Sequence, residues 1–180
     1  MNPIALVFDA ITYLFLLRFA LQAAQADFFN PISQWVIRLT KPLIKPLNAI
    51  LPDTQRFNTA ALLLAFLAQL LVYPTLMAIN GSGFELDQRM IAAASIGFLY
   101  AVLNFYFIIA IVFALMSWVV RDPNHPVFNL LNAILAPLMR PIQAIIPPMG
   151  GLDFSLIVVL FAISAIKNNV LPVLIAQLGL

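Results

Sequence analysis

The chain has 180 residues, of which 63% are hydrophobic and only 9% are charged, and its formal net charge is +2. A soluble domain is usually about half apolar and about a quarter charged, and it could not bury this much apolar surface at this size. Lipid must therefore replace much of the solvent, which excludes an ordinary soluble domain. The small net charge gives no reason to expect a nucleic-acid partner.

The side chains that usually support catalysis are scarce. The chain contains no cysteine and one histidine, His125. Disulfides, thiolate metal sites, cysteine nucleophiles, thioether haem attachment and multi-histidine metal sites are therefore excluded. The glycine pair at 150–151 lacks the pattern of a phosphate-binding loop. We expect a protein that is not an enzyme and that has no cofactor.

The first predicted element is a membrane-spanning helix over residues 3–25. Pro3 suits a helix start, and the apolar run is long enough for a hydrocarbon core of about 30 Å. The absence of a basic region before Asp9 argues against a cleaved signal peptide. Arg18 lies deeper, where a charge costs at least about 2.5–3.5 kcal/mol. We interpret Arg18 as one half of a structural ion pair, as a side chain that reaches the interface, or as part of a polar pathway.

The first connection, residues 27–56, is rich in proline and basic residues. Its polar side chains recur at helical spacing, and they are Gln34, Arg38, Lys41, Lys45 and Asn48. Apolar residues lie away from this stripe, which is typical of a helix in the membrane interface. Pro42 and Pro46 each remove a backbone donor, so we expect two short pieces bent near Lys41. The three cations are candidates for binding anionic lipid or a partner, and the alternative is simple anchoring.

Three more spans are predicted at residues 58–79, 91–120 and 154–178, with a second interfacial segment at 127–148. Asn58 or Thr59 is the expected cap of the second span, and Asp153 that of the fourth. Ser155 follows Asp153 and, together with Arg18 and Asp153, forms a candidate polar site at the membrane. The last span is expected to be disturbed around 167–172, where Lys, two Asn and a Pro interrupt it.

The two halves of the chain resemble each other. Four prolines recur in register with identical neighbours, in the pairs Pro31/Pro126, Pro42/Pro137, Pro46/Pro141 and Pro52/Pro147. The charge of Lys45 is kept at Arg140, which makes Arg140 a further candidate for lipid or partner binding. Such a match indicates an internal repeat, so we divide the chain into 1–80, a linker at 81–90, and 91–180.

The predicted fold is an all-α membrane protein with four transmembrane helices in two parallel repeats. Each repeat is a helical hairpin whose connection contains a proline-rich interfacial helix. Four spans place both termini on one side and both connections on the other. Most cations fall on the connection side, whereas only Arg89 lies in the opposite loop. The positive-inside rule then predicts cytoplasmic connections and external termini.

The second connection carries a recognisable motif. Residues 137–155 read PLMRPIQAIIPPMGGLDFS, and residues 117–119 read SWV. This resembles the signature of YggT-family (YlmG-like) membrane proteins, approximately PLxRPIRxxIPxxGG[IL]D[LF]S-P. The first half resembles the family's usual first repeat through residues 17–18, 27–31 and 42–52. Gln143 stands where the family has a second Arg, and Leu156 follows Ser155 where the family has Pro. In the first repeat, residues 53–56 read DTQR and replace the glycine-pair turn.

This resemblance implies a multi-pass protein of the bacterial inner membrane, with roles associated with osmotic stress and the cell envelope. Plastid relatives are associated with assembly of membrane cytochrome complexes. We expect lipids, anionic ones included, and another membrane protein as partners. Two functions remain open. One is a scaffold or assembly factor that uses the basic interfacial segment, and the other is a small channel or transporter subunit.

The channel alternative requires polar residues inside the spans and assembly of two or more copies into a homo-oligomer. Its proposed lining consists of Arg18, Gln69, Asn104 and Lys167. Polar groups within spans usually join helices to each other, and that is the alternative interpretation of Gln69, Asn104, Ser117 and Ser164.

Overall fold

The computed structural model describes residues 3–52, 54, 56–81, 88–120, 122, 124–146 and 154–178, without the side chains of residues 88, 89 and 178. These residues form helices and turns, with no β-strand among them. The elements, in chain order, are α1 (Pro3–Ala23), α2 (Pro31–Leu47), α3 (Thr59–Ile79), α4 (Gln88–Val119), α5 (Pro126–Gln143), α6 (Phe154–Ala165), a π-helical turn (Ile166–Val170) and α7 (Leu171–Leu178).

Four helical segments are long and apolar enough to cross a membrane. They are Pro3–Ala23, Thr59–Ile79, Met90–Val119 and Phe154–Gln177. The last one combines α6, the π-helical turn and most of α7. These bounds agree closely with the four spans predicted from the sequence. Most of each span is not buried inside the protein, as expected where lipid covers the remaining apolar surface.

The helices α1 and α3 pack as an antiparallel pair. Residues near the start of α1 meet the middle of α3, where Gln69 Nε2 donates to Asp9 Oδ1 at 3.0 Å. Residues at the end of α1 meet the start of α3, where Asn58 Nδ2 lies 3.4 Å from Gln22 Oε1. The buried residues in the first half of α3 are all small, namely Ala60, Ala61, Ala65 and Ala68. Small side chains let helix backbones approach closely, which favours association inside lipid.

The long helix α4 connects this pair to the C-terminal helices. Phe98 of α4 meets Phe66 of α3 edge to face, with 5.6 Å between ring centroids. Phe105 of α4 stacks on Tyr13 of α1 at 6.5 Å. On another part of α4, Phe113 stacks on Phe128 of α5 at 4.7 Å. The buried core therefore draws on all helices from α1 to α6, and α4 contacts α1, α3, α5 and α6.

The two proline-rich helices begin side by side at the same end of the molecule. Asn30 caps α2 through its Oδ1, which accepts a bond from the Ile32 N–H at 2.9 Å. The Nδ2 of the same side chain donates to the carbonyl of Pro126, the first residue of α5, at 2.8 Å. One buried asparagine thus caps one helix and holds the start of the other.

The expected division of α2 into two short pieces near Lys41 is wrong, because α2 is one helix that contains Pro42 and Pro46. Each proline leaves the carbonyl four residues before it without its usual backbone donor. Pro42 and Pro46 are themselves exposed, and they stand four residues apart on one face. The freed carbonyls therefore lie on the exposed side, where water or lipid headgroups can hydrate them. Pro137 and Pro141 lie inside α5 in the same way and are also exposed.

The second span begins at the predicted cap. Asn58 is fully buried, and its Oδ1 accepts a bond from the Ala61 N–H at 2.8 Å. This bond satisfies one of the backbone donors that every helix start leaves open. Asp153, the predicted cap of the fourth span, lies outside the described residues.

We predict that Asn58→Ala lowers the free energy of unfolding by about 1–2 kcal/mol, because the buried Ala61 N–H then loses its acceptor. The quantity is measured by denaturant titration in mixed detergent micelles. Asn132→Ala is the matched control, since Asn132 is exposed on α5. Its effect should stay within about 0.5 kcal/mol. Equal effects of the two substitutions would refute the capping role.

Candidate functional site

The surface of α2 is divided into three faces. The face against the protein consists of Ser33, Val36, Thr40 and Ile44. A second face exposes large apolar side chains, namely Trp35, Leu39 and Leu43. The third face exposes the predicted cations Arg38, Lys41 and Lys45. Spacings of three and four residues keep each set on its own side of the helix. The protein, an apolar medium and a polar medium can therefore each contact one face of α2.

The second proline-rich helix differs from the first. The buried face of α5 is wholly apolar and consists of Leu130, Leu131, Ile134, Leu135 and Met139. Arg140 is exposed and is the basic residue of its last turn. Ser33 and Thr40, by contrast, place hydroxyls on the buried face of α2. The three cations of α2 thus form a group on one helix, whereas Arg140 lies on another.

Arg18 belongs to the second half of α1, and it lies beside α2. It is half-buried and lines a cavity of about 400 Å³ together with Gln22, Phe28 and Ser33. Ser33 is only 2% exposed, and its hydroxyl makes no hydrogen bond within the described part of the chain. Ser155, the other described member of the predicted polar site, is fully buried at the start of α6. Neither Ser155 nor any other residue of α6 lines this cavity.

A second group of polar residues lies at the level of Gln69, in the middle of α3. The Nε2 of Gln69 donates to Asp9 Oδ1 at 3.0 Å and lies 3.2 Å from Thr12 Oγ1. Thr12 is fully buried, and its hydroxyl donates to the carbonyl of Phe8 at 2.9 Å. This arrangement ties the first half of α1 to the middle of α3.

A chain of hydrogen bonds joins α1, α4 and the last span. Asn104 Nδ2 donates to the Tyr13 hydroxyl at 2.7 Å, and Lys167 Nζ donates to Asn104 Oδ1 at 2.6 Å. The ammonium also lies over two aromatic rings, 4.8 Å from the centroid of Tyr100 and 5.0 Å from that of Phe107. Such cation–π contacts contribute about 0.5–2 kcal/mol, more where water is excluded. Lys167 is thus held near the middle of its span by polar and aromatic groups.

Both polar groups face one cavity of about 480 Å³, which we call the central cavity. Its polar lining consists of Asp9, Tyr13, Gln69, Tyr100 and Lys167, and Leu171, Pro172 and several residues of α4 complete it. The predicted channel lining between copies included Gln69, Asn104 and Lys167. Within one chain, Gln69 and Lys167 line this cavity, and Asn104 accepts a bond from Lys167. Arg18 lies in the other cavity. Asp9, Tyr13 and Tyr100 were missed as members. An aromatic residue in an apolar span gives no signal of its partners, and the sequence does not show which helix faces Asp9.

The π-helical turn gives Lys167 its position. Five residues of the last span follow each other at four-residue steps, and they are Ser155, Val159, Ile163, Lys167 and Leu171. All of them except Lys167 are buried. In a regular α-helix each such step rotates the side chain by about 40° further round the axis. The wider turn at Ile166–Val170 reduces this drift, so Leu171 returns to the buried side. Lys167 therefore shares a face with the core of the last span.

Comparison with known proteins shows which family the chain matches. A model of the family described as CCB3/YggT matches residues 1–79 and 92–174. The uncharacterized protein PA0392 of Pseudomonas aeruginosa is 35% identical over 168 residues, which cover 92% of this chain and 84% of that protein. An uncharacterized protein of Vibrio alginolyticus, encoded in the proC 3′ region, is 33% identical over 158 residues, covering 86% and 84%.

The uncharacterized protein YggT of Escherichia coli K12 is 32% identical over 170 residues, which cover 93% of this chain and 87% of that protein. No solved structure matches the chain. The match of the family model covers both halves, and the relatives cover most of their own length. Together with four helices that can span a membrane, these matches identify the chain as a member of the CCB3/YggT family of membrane proteins.

Proposed function

We propose that the protein is a non-enzymatic scaffold or assembly factor of the bacterial inner membrane, and that it acts through α2. The observation that carries this proposal is the separation of α2 into a buried, an exposed apolar and an exposed cationic face. A helix of this kind is stable where hydrocarbon and water meet. Its apolar face enters the lipid, and its cations remain among the headgroups.

The energies favour anionic lipid over neutral lipid. Each Lys or Arg near an anionic leaflet contributes about 1 kcal/mol, so the cations of α2 together contribute about 3 kcal/mol. Trp35 is 66% exposed, and tryptophan is enriched at the headgroup level. The interfacial position of α2 is thus supported by both charge and aromatic chemistry. A membrane-protein partner with an acidic face would be recognised by the same cations.

The finer topology belongs to this proposal. We place α2 and α5 at the cytoplasmic face and the termini outside, because Arg38, Lys41, Lys45, Arg56 and Arg140 all belong to the connections. The hydrogen bond from Asn30 to the carbonyl of Pro126 supports a common end for both connections. We also treat the halves as parallel repeats. The role in osmotic-stress and cell-envelope physiology rests on the family resemblance.

Trp35 offers a direct test, because the chain contains only two tryptophans. In a Trp118→Phe background, Trp35 is the single reporter, and brominated lipids quench its fluorescence on contact. We predict stronger quenching by brominated phosphatidylglycerol than by brominated phosphatidylcholine. Replacing Lys41, Lys45 and Arg140 with Glu together should remove this preference, a change of more than about ten-fold in relative lipid affinity.

Two single variants provide the matched control. Lys45→Glu should reduce the preference more than Arg56→Glu does, since Arg56 is exposed but lies outside α2, away from the Trp35 reporter in sequence. Purification of each variant from native membranes in mild detergent shows in parallel whether a protein partner depends on the same charges. Equal quenching by both lipids in the unsubstituted helix would reject the lipid-binding role. Unchanged partner recovery from the triple variant would reject the scaffold role.

A second function has its own observation. The central cavity places Asp9, Gln69 and Lys167 inside the membrane-spanning region, where polar residues often mark a path for ions or solutes. Four helices seldom enclose an aqueous path, so a channel or transporter subunit requires two or more copies. The exposed apolar faces of the spans allow such assembly.

We predict, for this second function, that liposomes containing the protein show flux of ions or small osmolytes above that of empty liposomes. Lys167→Met should change the flux, because it removes a charge from the central cavity. Trp118→Phe is the control, since Trp118 is 86% exposed and lies outside that cavity. Absence of flux under both ionic and osmotic gradients would reject transport.

A further inference from the structure

The central cavity contains two opposite formal charges that contact neutral groups. Asp9 Oδ1 accepts a hydrogen bond from the Gln69 amide, and Lys167 Nζ donates one to the Asn104 amide. Within the described residues, no salt bridge joins Asp9 to Lys167, although both line the same space. An amide partner leaves the formal charge of its neighbour uncompensated.

Lys167 lies well inside its membrane-spanning segment, and Asp9 lies six residues after Pro3, the first residue of its own span. Lys167 stands 13 residues after Phe154 and ten before Gln177, the ends of its span (167 − 154 and 177 − 167). A charge at such a depth costs at least about 2.5–3.5 kcal/mol unless it meets an opposite charge or water. This free-energy cost falls when a bound molecule pairs with both the Asp9 carboxylate and the Lys167 ammonium.

The remaining bonding capacity points to the chemistry of the occupant. Lys167 has three N–H donors, and one of them is directed to Asn104. The second carboxylate oxygen of Asp9 makes no hydrogen bond with the described residues, and a carboxylate accepts several. A bound cation alone would leave the charge of Lys167 uncompensated. A bound anion alone would leave the charge of Asp9 uncompensated. A molecule with a separate ammonium and carboxylate, or phosphate, satisfies both ends.

We propose that the central cavity is a binding site for a small zwitterion, whose ammonium contacts Asp9 and whose anionic group contacts Lys167. Tyr13 and Tyr100 line the same space and suit the ammonium end and the alkyl chain. The volume of about 480 Å³ is within the range of small-molecule pockets. Soluble amino acids and the phosphatidylethanolamine headgroup share this chemistry, so the experiment has an arm for each.

The soluble arm uses the full chain in nanodiscs of phosphatidylcholine. Equilibrium dialysis measures the binding of labelled glycine, β-alanine, 4-aminobutanoate and 6-aminohexanoate, which differ in the separation of their charges. An alkylamine and an alkanoate of equal length are the matched single-charge ligands. We expect one zwitterion to bind at least about ten-fold more tightly than either of them, since each lacks one contact.

The lipid arm measures retained phosphatidylethanolamine by native mass spectrometry of protein purified from native membranes. Asp9→Asn and Lys167→Met should each reduce zwitterion binding, or lipid retention, by about ten-fold or more. Asp122→Asn and Arg56→Met are the controls, because they make comparable changes at exposed residues outside the cavity. Asp9→Glu keeps the charge and should retain binding.

The ligand series keeps the test decisive even where a cavity variant fails to fold, because it uses the unsubstituted chain. Equal binding of the zwitterion and a single-charge analogue would overturn the proposal, as would binding that the folded Asp9→Asn variant retains in full. Absence of both soluble binding and selective lipid retention would also overturn it. Binding without flux in liposomes would support this site and reject only the transport function.

Discussion

Polar groups inside lipid have no water to bond to, and this constraint governs how the four spans fit together. Apolar packing alone gives little preference for one helix orientation, since lipid tails are as apolar as leucine. The buried polar contacts supply that preference. Asn104 bonds Tyr13 of α1 and Lys167 of the last span, so one side chain of α4 fixes two neighbours. Gln69 fixes α3 against α1 in the same way.

The same constraint explains where prolines are tolerated. Pro42 and Pro46 free two carbonyls of α2, and both prolines are exposed, so groups outside the protein can reach that side of the helix. Pro74 lies inside α3, is buried, and removes the backbone donor of the Leu70 carbonyl. The Thr75 hydroxyl donates to the next carbonyl, that of Leu71, at 2.6 Å. The prolines inside α2 and α5 are thus exposed, whereas Pro74 of α3 is buried.

Much of the fold could be predicted because long apolar runs report spans directly. The start of the second span at Asn58 followed from capping chemistry, and the disturbed last span followed from Lys167 and its neighbours. The continuity of α2 was missed because proline rules consider the lost backbone bond and not the medium around the freed carbonyl. Of the residues predicted to line a channel between copies, Gln69 and Lys167 line the central cavity of one chain, whereas Arg18 does not. Asp9 and Arg18 lie nine residues apart on α1, about 14 Å of helix, and the sequence could not show which helix faces each.

The separation of these two residues along α1 also separates the two proposed activities. Arg18 lies on the half of α1 next to α2 and its cations, whereas Asp9 lies on the other half with the central cavity. Charge reversal on α2 changes contacts with headgroups and leaves the lining of the central cavity intact. Neutralising Asp9 or Lys167 changes the cavity and leaves the exposed face of α2 intact. Loss of one activity with retention of the other would therefore assign each to its own end of α1, and simultaneous loss would show that α1 couples them.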